Sequence, residues 1–133
     1  MRHFDLCVIG SGPAGQKAAI QAAKLGRSVC VVEKQDVPGG AAINTGTIPS
    51  KALREAILAF NAGGRSGATP TGDFFAARSA TFTGLLSACQ RIIKAEIGVV
   101  KVHLANNGIE LIFGAGSFRD SHTLDAAGPR QEF

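Results

Sequence analysis

With 133 residues the chain is long enough for one domain and at most one core. A hydrophobic fraction of 45% with 18% charged residues fits a soluble globular protein, whose aromatic packing must rest on eight phenylalanines because tryptophan and tyrosine are absent. The formal net charge of +4 is spread along the sequence with no run of like charge, which argues for a solvated surface and against a nucleic-acid partner.

Leu6-Cys7-Val8-Ile9 is a short apolar run ended by glycine and is expected to form a buried parallel strand. It is too short for a signal-peptide core or a membrane span, so no targeting or membrane segment is expected. Residues 13–25 predict a helix, with Ala14, Ala18, Ala22 and Leu25 facing inward, Gln16, Lys17, Gln21 and Lys24 facing out, and Gly26 as the stop. Ser28-Val29-Cys30-Val31-Val32 predicts a second buried strand with Glu33 at its end, so the opening of the chain reads as one βαβ unit. A glycine-rich loop through Gly39 and Gly40 leads to a helix over residues 49–62, with Pro49 at an early position. Residues 65–73 read as a loop. A long helix is expected over residues 82–106, where Leu85, Cys89, Ile92, Ile93, Val100 and Leu104 form a stripe, Gly98 weakens the pattern, and Asn107-Gly108 ends it. Residues 109–113 predict a strand, followed by Gly114-Ala115-Gly116 and a hairpin partner around residues 122–124; the tail beyond shows no periodicity.

Chemistry concentrates at Gly10-Ser11-Gly12-Pro13-Ala14-Gly15, a G-x-G-x-x-G sequence between the first strand and its helix, with the acidic Glu33 closing the next strand 18 positions after Gly15. Each glycine has a task. Gly10 permits a tight turn, Gly12 admits a pyrophosphate close to the backbone, and Gly15 lets helix and strand pack closely. The helix N-terminus offers N–H groups and a positive dipole end to the phosphates. Glu33 is placed to accept hydrogen bonds from an adenosine ribose and to repel a 2′-phosphate. FAD and NAD both present an ADP half, so this motif alone leaves the two open.

The segment Gly39-Gly40-Ala41-Ala42-Ile43-Asn44-Thr45-Gly46-Thr47-Ile48-Pro49-Ser50-Lys51 resembles the disulfide-containing flavoprotein reductases, in which a glycine pair, two cysteines and Pro-Ser-Lys occur in this order. The two cysteine positions fall at Ala42 and Thr47, which excludes a disulfide relay there and leaves no catalytic residue to assign. Within that superfamily the sequence most resembles the soluble (Si-specific) pyridine nucleotide transhydrogenases. The likeness is carried by residues 43–51, by Leu53-Arg54-Glu55-Ala56, by Arg91-Ile92-Ile93, Glu96-Ile97 and Val99-Val100, and by Gly116-Ser117-Phe118-Arg119-Asp120 with His122-Thr123. Those enzymes usually keep the first cysteine, so Ala42 departs from their pattern as well.

The resemblance implies a Rossmann-like FAD-binding α/β domain with a parallel sheet and flanking helices, spanning residues 1–133 and incomplete at its C-terminus, with the NAD(P)-binding and dimerisation domains absent. It implies FAD as cofactor and nicotinamide nucleotides as substrates of a homo-oligomeric parent enzyme, which carries hydride from NADPH to NAD⁺. The isolated segment is expected to be inactive. Cofactor-binding residues would be Gly10, Gly12, Pro13, Ala14, Gly15, Glu33, Lys34, Gly39, Gly40, Ala42, Thr47, Lys51 and Gly116, with Thr47 facing the flavin ring, Lys51 near its N5 and Gly116 beside the adenine. A cation near N5 favours the reduced ring on electrostatic grounds too. Another flavin reductase of the superfamily, similar to dihydrolipoamide dehydrogenase or mercuric reductase, and a non-catalytic FAD- or ADP-binding relative are the alternatives. His3, His103 and His122 have no spacing for a metal or catalytic pair, and Cys7, Cys30 and Cys89 have none for a metal; the thiols are expected to be buried in a protein of the reducing cytoplasm.

Overall fold

The computed structural model describes residues 1–63 and 82–128. The chain divides into two compact units, one formed by residues 1–40 and 97–133, the other by residues 41–96.

In the first unit, β1 (Leu6–Ile9), β2 (Val29–Glu33) and β3 (Glu110–Phe113) form a parallel sheet in the order β1-β2-β3. The register pairs Leu6 with Val29, Cys7 with Cys30, Val8 with Val31 and Ile9 with Val32, then Cys30 with Glu110 through Glu33 with Phe113. Central β2 is buried along its whole length, as its unbroken apolar run predicts. β1 has one strand neighbour among the described residues and is more open than expected, with Leu6 36% and Ile9 49% exposed. Cys7 is likewise exposed, so the expectation that all three thiols are buried holds only for Cys30 and Cys89.

Helix α1 (Pro13–Lys24) packs on β1 and β2 and ends with the Gly26 and Arg27 N–H groups donating to the Ala23 and Ala22 carbonyls, a glycine-terminated Schellman turn. Its inner face differs from the expected stripe. A Cβ at Gly15 would collide with the Gly10 carbonyl and meet Val8, so Gly15 must face the strands. That turns Ala19 inward, with Ala22 and Ala23 half-buried, and leaves Ala14, Ala18 and Leu25 exposed; Gln16, expected outside, is half-buried.

β4 (Ala115–Phe118) and β5 (Leu124–Ala127) form an antiparallel hairpin in which Arg119 holds Asp125 through two hydrogen bonds of 2.9 and 2.5 Å. A new strand thus starts at Ala115, and the hairpin partner expected around residues 122–124 lies at 124–127 and pairs with β4, while the strand at 110–113 pairs with β2. β5 takes in Ala126 and Ala127, where no periodicity was visible. The core of this unit comprises Ala19, the β2 side chains, Val100, Leu104 and Ile109. Among phenylalanines with described side chains, Phe4 is half-buried while Phe113 and Phe118 are exposed, so packing here is aliphatic, not aromatic.

The second unit contains α2 (Gly40–Asn44) from its second residue, α3 (Thr47–Gly63) and the first part of α4 (Phe82–Asn106), whose last turns belong to the first unit. α2 begins at Gly40, in the glycine-rich loop expected through Gly39 and Gly40, and adds a short helix ahead of the one expected over residues 49–62. α3 begins two residues before Pro49, and α4 matches its expected span and continues through Gly98. Among the described residues of the second unit, Ile43, Ala52, Ala56, Ala88 and Cys89 are the buried apolar ones. α4 ends as α1 does, with Gly108 and Ile109 donating to Ala105 and Leu104. The loop expected over residues 65–73 and the last residues of the tail lie outside the described residues.

Candidate functional site

The turn from β1 into α1 is held from below. Gly10 takes φ +93° and donates its N–H to the Val32 carbonyl at 2.7 Å, which fixes the turn to the end of β2. Ser11 is fully buried, and its N–H and hydroxyl both donate to Glu33 Oε2, at 2.9 and 2.5 Å. The same hydroxyl accepts the Gly39 N–H at 2.9 Å, and the Ser11 carbonyl accepts Gln16 Nε2 at 2.7 Å. Glu33 Oε1 accepts the Gln35 N–H at 3.0 Å. One buried carboxylate therefore ties the glycine turn to the end of β2, while Ser11 reaches on to the glycine pair.

Burial pushes the Glu33 carboxyl up, but hydrogen bonds from the Ser11 hydroxyl and from the Gln35, Ser11 and Lys34 N–H groups outweigh it and hold the carboxyl below its ordinary value. Glu33 is thus charged at neutral pH although only 4% exposed. Sequence reasoning assigned Glu33 to a ribose and passed over Ser11; the structure adds a scaffolding task and makes Ser11 its centre. The available signal was weak, namely a hydroxyl at a variable position of the motif.

The second glycine pair closes against the first motif. Gly40 has φ +63°, and a Cβ there would stand 2.9 Å from Gly12 Cα, so backbone lies directly on backbone. Only glycine meets both demands. By contrast, a Cβ built on Gly12 meets nothing within 4 Å. Gly12 also caps α1 without a side-chain hydrogen bond, Pro13 follows it, and no acidic residue occupies the first turn. The turn is therefore braced on one side and open on another, with a helix N-terminus that no side chain caps. That arrangement suits a diphosphate lying against the backbone.

The first unit brings together Gly10, Gly12, Gly15, Glu33, Gly39 and Gly40. Gly116, in β4, joins them: a Cβ there would be 3.4 Å from the Ile9 and Val32 side chains, at the C-terminal ends of β1 and β2. Pro13 and Ala14 are exposed on the first turn of α1, and Lys34 is exposed beyond β2. Within the second unit, Ala42 is half-buried in α2, while Thr47 and Lys51 are exposed one turn apart on α3 and so share a face. Among the described residues no group of three or more His, Cys, Asp or Glu side chains could hold a metal, and no helix is long and apolar enough to cross a membrane.

Residues 5–80 match the family described as FAD dependent oxidoreductase. A soluble pyridine nucleotide transhydrogenase of Mycobacterium tuberculosis (strain H37Ra) is 46% identical over 124 residues, covering 93% of this chain and 26% of that protein. The protein of the same name from Marinomonas is 39% identical over 127 residues, again covering 93% and 26%. The chain thus spans about a quarter of the length of these relatives. Among solved structures, the Cu(II) complex of the HOCl-induced flavoprotein disulfide reductase RclA from Escherichia coli superposes with a TM-score of 0.74 at 24% identity, over 95% of this chain and 25% of that one. That likeness speaks to the fold and agrees with a Rossmann-like α/β arrangement. The braced glycine turn, its buried glutamate and the family match over the same residues lead to one conclusion: the chain belongs to the FAD-dependent oxidoreductase family.

Proposed function

We propose that this chain is the FAD-binding portion of a flavoprotein oxidoreductase that moves hydride between NADPH and NAD⁺, and that the 133 residues alone do not turn over. The observation that carries the reading is the open face at Gly12, braced from behind by Ser11, Glu33 and Gly40. The choice of transhydrogenase within the family is supported by relatives of that name at 46% and 39% identity.

FAD, when bound, supplies the ring that takes up and releases hydride. The chain's own residues hold it. Gly12 leaves room for the diphosphate, and the start of α1 offers N–H groups and positive potential. Glu33, charged at the C-terminal end of β2, is the acceptor for a ribose hydroxyl, which shares its carboxylate with the bonds from Ser11 and Gln35. Gly116 borders the adenine side, and Lys34, Gly39, Pro13 and Ala14 complete the nucleotide contacts. Ala42, Thr47 and Lys51 serve the flavin end, with Lys51 supplying a positive charge; Ala42 and Thr47 offer no thiols, so a disulfide substrate has no relay there.

Two measurements test this. The purified chain should be yellow or become so with added FAD, and should release flavin on denaturation; a chain that takes up none contradicts FAD binding. For the hydride reaction, the matching quarter of the mycobacterial relative is exchanged for this chain and NADPH-dependent reduction of a thio-NAD⁺ analogue is followed. Transfer by the flavin-loaded chimera supports the reading, and a flavin-loaded chimera without transfer contradicts it.

A further inference from the structure

Cys7 and Cys30 take no part in the nucleotide site, yet they are direct partners in the β1–β2 register. Paired residues of neighbouring parallel strands project from the same face, with backbones about 4.8 Å apart, inside the Cα separation of about 4.4–6.8 Å that a disulfide spans. Their sulfurs lie 2.7 Å apart. The two thiols differ in surroundings, Cys7 being exposed and Cys30 fully buried at 0%. Cys89 sits on α4 in the second unit.

We propose that Cys7 and Cys30 form an oxidisable dithiol that a hydroperoxide converts into an intrachain disulfide between β1 and β2. The asymmetry of the pair sets the order of events. Burial first, and the neighbouring Cys7 thiol second, push the Cys30 thiol up to about 12, and Cys30 is fully buried, so exposed Cys7 is the residue whose sulfur meets the oxidant. Its sulfur attacks one peroxide oxygen; the O–O bond breaks, the departing oxygen leaves as water, and Cys7 becomes a sulfenic acid. The Cys30 sulfur then displaces the hydroxyl from Cys7, its own proton leaves with that hydroxyl as a second water, and the S–S bond forms. In sum two thiols and one hydrogen peroxide give one disulfide and two waters, the sulfurs losing two electrons and the peroxide gaining them. The loop so closed contains the whole glycine turn and α1. Exposed strand and buried partner give a further distinction: peroxide enters through Cys7, and the partner sulfur already within reach intercepts the sulfenic acid before a second oxidation.

The full chain is treated with hydrogen peroxide, remaining thiols are alkylated, and the products are read by intact mass and by peptide mapping without reduction. The expected product has lost two hydrogens, carries a peptide pair linked through Cys7 and Cys30, retains an alkylatable Cys89, and returns to three thiols with dithiothreitol. Cys89→Ser should give the same linkage and Cys7→Ser should abolish it; both avoid altering the buried Cys30. Oxygen addition at Cys7 with Cys30 still alkylatable, a link to Cys89, or dimers joined through Cys7 would each overturn the proposal.

Discussion

Replacing Glu33 with Gln keeps the shape of the side chain and removes its charge. In the wild type the Ser11 N–H and hydroxyl reach Oε2 and the Gln35 N–H reaches Oε1, all within 3.0 Å, with the Lys34 N–H adding to the same stabilisation. An amide retains one acceptor oxygen. If that oxygen stays with Ser11, the amide NH₂ faces the Gln35 N–H, so one part-buried bond becomes a donor–donor contact and the bonds from Ser11 lose charge assistance. A bond to a charged group contributes about 1.5–3 kcal/mol and a buried unsatisfied donor costs about 1–3 kcal/mol, so the variant should lose about 2–4 kcal/mol of stability. The pH dependence carries a sign. The folded carboxyl lies below its ordinary value of 4.5, so its contribution is fully present above that value and fades as pH falls through the lowered folded value. Urea unfolding followed by far-ultraviolet circular dichroism should therefore show a gap between wild type and variant that is wide at neutral pH and narrows under acid. A gap under about 0.5 kcal/mol at neutral pH, or one that widens on acidification, refutes the anchoring role of Glu33.

Gly15→Ala should fail differently, because its Cβ would collide with the Gly10 carbonyl and come within 3.2 Å of Val8. Overpacking of this kind costs about 1–3 kcal/mol, which thermal unfolding would register as a lowered midpoint even without FAD. Leu104, 2% exposed, is among the largest fully buried side chains, and Leu104→Ala should cost about 2–5 kcal/mol in the same unfolding assay. A loss no larger than that of an exposed-site control such as Val102→Ala would place Leu104 outside the cooperative core.

The βαβ opening was legible because local signals agreed: an apolar run, glycines where the turn needs them, and alanine-rich helix ended by Gly26. Residues 82–106 were legible for the same reason, since a sustained apolar stripe outweighs one glycine. The inward face of α1 was not, because it is set by where Gly15 meets the Gly10 carbonyl, a contact no periodicity contains. Exposure of β1 and Cys7 was hidden because a buried central strand and a strand with one neighbour among the described residues share the same apolar lettering. The short α2 and the β4 start at Ala115 were missed for the opposite cause, as glycine-rich sequence reads as loop while tertiary packing folds it. At the site, Gly10, Gly12, Gly15, Gly39 and Gly40 come together as their motifs imply. Ser11 escaped notice because its importance arises only once Glu33 and Gly39, distant in sequence, arrive beside it.

The Gly12 position offers the most direct test that the open face of the turn receives the FAD diphosphate. Its backbone is extended at φ −65° and ψ 175°, suiting any residue, and an added Cβ touches nothing in the chain. Gly12→Ala should therefore leave stability within about 0.5 kcal/mol, the weaker helix cap being offset by a less flexible unfolded chain. Equilibrium titration with FAD, read by the change in flavin fluorescence, should show the wild type binding and the Gly12→Ala chain binding about tenfold more weakly or worse, equivalent to about 1.4 kcal/mol or more. Equal affinity in the two proteins, at equal stability, would contradict the placement of the diphosphate against Gly12.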